Sequence, residues 1–144
     1  MKTIKYLNNK KDRKTFDDMF SIANLYNSAC SYVDIPIRIH PIIMSIVFHH
    51  YKTLKEKNNA LMLEPSNLQL NNYNNNNSII LQKELDKWKT YSNILRQPNR
   101  DLFIQMLQSV DKYSNFINAK EDNYATESLL MSLLLEQHKE LLQQ

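Results

Sequence analysis

The chain of 144 residues contains no glycine. Average usage near ~7% predicts roughly ten in that length, so the absence disfavours several functions together. Phosphate-cradling loops, dinucleotide fingerprints and nucleophile elbows all need glycine's backbone freedom. Two-residue hairpin turns lose their preferred residue as well. Cysteine is nearly absent: Cys30 stands alone, no intramolecular disulfide can form, and a reducing, cytoplasmic setting is the expectation. Long apolar runs are missing too. The two longest, 42–48 and 129–135, are each interrupted by a serine and fall far short of the ~20 residues that a membrane span requires. No apolar run follows the N-terminal lysines as a secretory leader would need.

What is present reads as a single all-α domain, long enough to bury one core. Its charge is uneven. Residues 1–14 carry Lys2, Lys5, Lys10, Lys11, Arg13 and Lys14 against Asp12, a net +5 in a chain whose total is +3. Such a basic arm either solubilises the terminus or grips a polyanion by releasing its counterions.

Shifted by 87 positions, residues 13–54 align with 100–141 without a gap, and eight of the 42 pairs are identical. Roughly three would arise from composition alone. The pairs are Arg13 with Arg100, Phe16 with Phe103, Met19 with Met106, Tyr26 with Tyr113, Met44 with Met131, Ser45 with Ser132, Lys52 with Lys139, and Leu54 with Leu141. Apolar positions in both copies recur at steps of three, one and four, the signature of a one-sided helix. The pattern predicts two repeated helical hairpins that bury each other's apolar faces as a four-helix core.

The first helix is expected over 13–33 with Asp12 as its cap, and its counterpart over 100–119 with Asn99 as cap after Pro98. The second helix is expected over 41–57, with Pro41 at its first position, and its counterpart over 128–141. Asn58 and Asn118 stand where left-handed terminal caps belong. Between the copies, 65–77 is dominated by asparagine and predicts a flexible linker. A further helix over 78–96 carries Ile80, Leu81, Leu85, Trp88 and Leu95 on one side, with Trp88 as a core or seam residue. Lys2 and Thr3 match Lys89 and Thr90 at the same offset, which makes 2–8 a truncated relic of that helix.

Few groups suggest chemistry. His49 and His50 are adjacent, so on a helix they point about 100° apart and cannot readily share a metal. Neither Glu-x-x-His nor His-x-x-x-His spacing occurs. In the second copy their places are taken by Glu136 and Gln137, followed by His138, and convergence across the core is the one route to a carboxylate-imidazole site. The simpler reading has the histidines finish the helix beside its C-terminal end, and Asp17 and Asp18 complement the first turns of the first helix. Cys30, on an apolar stripe, reads as packing. No catalytic, cofactor or metal residue is assigned. Candidate partner or polyanion contacts are Lys2, Lys5, Lys10, Lys11, Arg13, Lys14, Lys52, Lys55, Lys57, Arg100 and Lys139.

The stretch RIHPIIMSIVFHHYK, together with the Asn-, Lys- and Ile-rich usage and sparing arginine, resembles uncharacterised small helical proteins of ammonia-oxidising archaea. No activity or site residue follows from that resemblance. The residues themselves favour a non-enzymatic helical adaptor or scaffold that presents a helix face or groove to another protein or to its own copy. The alternative is a small nucleic-acid-associated protein that uses the basic arm. A metal-dependent enzyme is a third class.

Overall fold

The computed structural model describes residues 9–58, 79–119 and 122–143, and the regular elements among them are helical throughout. In order they are α1 (Lys10–Ser21), a 3-10 segment Ile22–Tyr26, α2 (Asn27–Tyr32), α3 (Ile39–Lys57), α4 (Ile79–Ile94), α5 (Asn99–Gln108), a 3-10 segment Asp111–Tyr113, α6 (Ser114–Asn118), a 3-10 turn Asp122–Tyr124, and α7 (Ala125–Leu142). None of these helices is long and apolar enough to cross a membrane. The expected asparagine linker, 65–77, and the relic helix, 2–8, lie outside the described residues.

Local chemistry moves several expected boundaries. The first helix starts a turn early because Asn9, not Asp12, caps it: its side-chain oxygen accepts from the Lys11 amide at 2.9 Å. Asp17 and Asp18 therefore lie beyond the first turn, where only Asp12 meets the exposed amides. Asn99 is the first residue of α5 rather than its cap, a place held by Pro98. Pro41 is the third residue of α3, still within the first turn, whose amides have no partner inside the helix. Asn58 ends α3 in a right-handed turn with φ −81°, and Asn118 lies inside α6, which ends on Ala119 at φ −71°, so neither asparagine is itself a left-handed cap. The Asn118 side chain instead accepts from the Leu81 amide at 3.3 Å and caps the first turn of α4.

Each long first helix is broken. Its two parts meet at a 3-10 segment that ends at Tyr26 in the first half and at Tyr113 in the second, 87 residues later. Tyr26 has φ −116°, ψ 19° and Tyr113 has φ −100°, ψ 12°, both near the bridge region that an α-helix avoids. Further contacts keep the same spacing. Ser45 donates to the Pro41 carbonyl and Ser132 to the Ser128 carbonyl, each at 2.8 Å. The Tyr26 hydroxyl lies 3.3 Å from His49 Nδ1, while the Tyr113 hydroxyl donates to Glu136.

The core gathers around α4. Trp88 and Tyr91 are fully buried there, Phe103 packs on Tyr91 with ring centroids 4.9 Å apart, and Phe48 meets Phe103 edge-on at 5.3 Å. Aromatic pairs of this kind contribute ~0.5–1.5 kcal/mol beyond simple burial. Glu84, although buried, accepts from Trp88 Nε1 at 3.1 Å, Thr126 Oγ1 at 2.5 Å and Lys87 at 3.0 Å. That carboxylate ties α4 to α7. On the opposite side Ser45 Oγ lies 2.6 Å from the Tyr91 hydroxyl and 3.1 Å from Cys30 Sγ, joining α2, α3 and α4. Burial pushes the Tyr91 phenol above its ordinary range, against the hydrogen bond with Ser45, which lowers it.

One expectation about the core needs correction. Of the helix expected over 13–33, α1 buries no residue, whereas Tyr26, Ala29 and Val33 beyond it belong to the core, and α4 contributes more to that core than a linker helix was expected to. Phe16 rests half-buried against Phe20 at 4.6 Å, whereas Phe103 at the matching position is fully enclosed.

Candidate docking groove between α3 and α7

The helices α3 and α7 run side by side in the same direction. Near their starts His40 Nε2 lies 3.0 Å from Glu127 Oε1; midway the Gln137 side chain donates to the Val47 carbonyl at 2.9 Å; near their ends Lys55 pairs with Glu140 at 2.8 Å. His40 and Glu127 are themselves 87 residues apart. The two helices thus face one another along a seam.

The two sides of this seam differ. On one, the α3 face formed by Met44, Val47, Phe48, Tyr51 and Leu54 is buried, and Phe103 of α5 covers it. On the other, the matching α7 face is Met131, Leu134, Leu135, His138 and Leu141, and it is open. Met131 is 60% exposed where Met44 is 0%, and Leu135 is 45% exposed where Phe48 is 0%. Their spacing of three, one, three and three residues puts them on a single stripe of the helix. Leu142 extends the stripe at 73% exposure.

Between that stripe and α3 lies a groove of about 480 Å³ lined by His50, Thr53 and Leu54 from α3 and Leu134, Gln137, His138 and Leu141 from α7. Its walls are mainly apolar, with two imidazoles and an amide at the rim. Burial first, and the neighbouring His49 charge second, hold His50 below the ordinary imidazole range. Beside the open stripe Glu136 accepts from Tyr113 and pairs with Lys112 at 2.7 Å. Burial raises its carboxyl, but the hydrogen bonds from Lys112 and Tyr113 and the charges of Lys112 and Lys139 outweigh it and hold the group below its ordinary range. The arrangement offers an apolar trough with a few polar fixing points, the pattern that receives an amphipathic helix.

The histidines fall differently from the sequence expectation. Because α3 continues to Lys57, His49 and His50 are inside the helix and its last turn carries Lys55 and Lys57 instead. His49 reaches Tyr26, Glu136 reaches Tyr113, and His50 and His138 line the groove, so these imidazoles do not converge on Glu136; the imidazole and carboxylate that do meet across the seam are His40 and Glu127. Among the described residues no three His, Cys, Asp or Glu side chains are grouped to hold a metal ion.

The candidate cations are dispersed rather than gathered. Lys2 and Lys5 lie outside the described residues; Lys10, Lys11, Arg13 and Lys14 are exposed at the start of α1. Arg100 is spent on structure, donating to the Ser92 and Asn93 carbonyls at 3.2 and 2.7 Å and closing the end of α4. Lys139 donates to the Tyr113 hydroxyl at 2.6 Å and Lys55 lies 5.2 Å above the Tyr51 ring as well as against Glu140. Lys52 is half-buried and Lys57 exposed on α3. Sequence reasoning missed the groove, although its signal was present: an apolar stripe on α7 additional to the one that faces the core.

The molecule is therefore an all-helical protein whose open feature is a groove between two parallel helices. Residues 5–78 match the family described as a domain of unknown function, DUF8156, and the chain belongs to that family. The match includes the α3 wall of the groove and ends before α4. Neither the curated proteins nor the solved structures compared with the chain give a match.

Proposed function

We propose that this protein is a non-enzymatic helical adaptor that seats an amphipathic helix in the groove between α3 and α7. The observation that carries the reading is the bare apolar stripe of α7 beside that groove, at positions whose equivalents on α3 are covered. Monomeric proteins seldom leave a contiguous apolar surface of this kind uncovered, and where one occurs it marks a contact site. Replacing Leu134 in the full chain by photoreactive p-benzoylphenylalanine, in the native cell, tests the proposal. Discrete protein adducts that vanish when Leu141→Glu is added are the expected result. Adducts to nucleic acid, or none, contradict it.

A second reading, contact with nucleic-acid phosphates, draws on the exposed Lys10, Lys11 and Lys14 at the start of α1, which Lys2 and Lys5 extend in sequence. It predicts salt-sensitive binding that disappears when residues 1–14 are removed. Binding that survives the deletion contradicts it.

A further inference from the structure

The covered side of the α3–α7 seam is a template for what fits the open side. There α5 lies against α3, with Phe103, Met106 and Leu107 fully buried. The residues 87 positions earlier are Phe16, Met19 and Phe20 of α1. Those three are only half-buried, on a helix that buries nothing, and among the described residues none of α1 lines the open groove. The molecule thus carries an open α7 face and, elsewhere, the counterpart of the helix that covers the matching α3 face.

Resting on the docking reading above, we infer that the open α7 stripe along the groove is covered by α1 of a second copy of this chain, exchanged in both directions across a dimer. The seam relates Phe48 to Leu135, so the contact of Phe103 with Phe48 maps onto a contact of Phe16 with Leu135. Charge agrees with that placement. Around α5, Asn99 shares one pocket with Tyr26; the offset turns this into Asp12 beside Tyr113, which brings Lys10, Lys11 and Lys14 toward Glu136. The helix α7 is net negative and the first turn of α1 is cationic, so the docked pair is complementary in sign. A reciprocal exchange also closes the assembly at two chains, because each copy offers one groove and one helix.

The test uses the purified full chain with p-benzoylphenylalanine at 134, prepared as an equilibrated mixture of nitrogen-15 and unlabelled molecules, illuminated and read by mass spectrometry. The expected product is a dimer adduct, mixed-isotope species included, with the crosslink in residues 16–23, and it is lost with Phe20→Glu. Since α1 contributes nothing to the core, that variant keeps its circular dichroism and thermal transition. Chains bearing Leu141→Glu and chains bearing Phe20→Glu, each monomeric alone in sedimentation, associate when mixed because one helix and one groove remain intact. An adduct within one chain, a wild-type chain with no adduct, or a dimer indifferent to Phe20→Glu overturns the inference. If the native-cell crosslink instead captures a different protein, the docking reading stands and this inference falls; if neither preparation gives an adduct, both fall.

Discussion

The helices α3 and α7 answer to the same pattern of apolar positions, yet one is enclosed and the other is half bare. Met44 and Met131 occupy matching places and differ by 60 percentage points in exposure, 0% against 60%. The difference lies in the neighbours. Phe103 from α5 covers α3, while the matching helix α1 leaves α7 uncovered and lies along α3 and its own 3-10 segment. An amphipathic stripe therefore specifies a surface that needs a cover, but the same stripe can be satisfied inside the chain or left for a partner.

The comparison breaks most visibly at the paired phenylalanines. Phe103→Ala should cost ~3–5 kcal/mol in urea denaturation, as a fully enclosed aromatic does. Phe16→Ala should cost about 1 kcal/mol or less at chain concentrations too low for association. Equal losses would place α1 in the core. The methionines repeat the contrast on a smaller scale: Met44→Ala is expected to cost ~2–5 kcal/mol and Met131→Ala to stay within ~0.5 kcal/mol.

Next in size is Glu84, the carboxylate that joins α4 to α7. Glu84→Ala leaves the Trp88 indole and the Thr126 hydroxyl without their acceptor, and unsatisfied buried donors of this kind cost ~1–3 kcal/mol. A melting temperature unchanged by the substitution would show that water replaces the carboxylate.

The smallest effect belongs to the groove rim. His50 is held below the ordinary imidazole range in the folded chain, so the unfolded chain binds its proton more readily. Its contribution is present above the unfolded value of about 6.5 and is lost as pH falls from there through the lower value of the folded chain. Replacing His50 by Gln should flatten that decline in a series of denaturation curves at pH 5 to 8. An unchanged slope assigns the decline to other groups.

The all-helical class was legible in the missing glycine and the helical spacing of apolar residues. Tyr26 with Tyr113 and Ser45 with Ser132 mark matching turns and matching hydrogen bonds at an offset of 87. The helix breaks were not legible. Ile22 to Tyr26 contains neither proline nor glycine, and a short 3-10 stretch leaves the apolar spacing nearly intact. The start of α1 was misplaced because Asn9 and Asp12 both suit a cap, and sequence alone does not rank them. The groove was half legible. The α7 stripe can be read from Met131 to Leu142, but its exposure depends on where α1 goes; that α1 stays outside the core was legible in Thr15 and Asp17, which stand where α5 buries Leu102 and Ile104.

The most direct measurement is the reactivity of one thiol placed at each matching position. In a chain with Cys30→Ser, Met44→Cys and Met131→Cys are compared with a thiol reagent at a concentration low enough to prevent association. The account predicts that the thiol at 131 reacts at nearly the rate of the unfolded chain and that the thiol at 44 reacts only through global opening. Similar protection at both positions would contradict the open α7 face on which the functional reading depends.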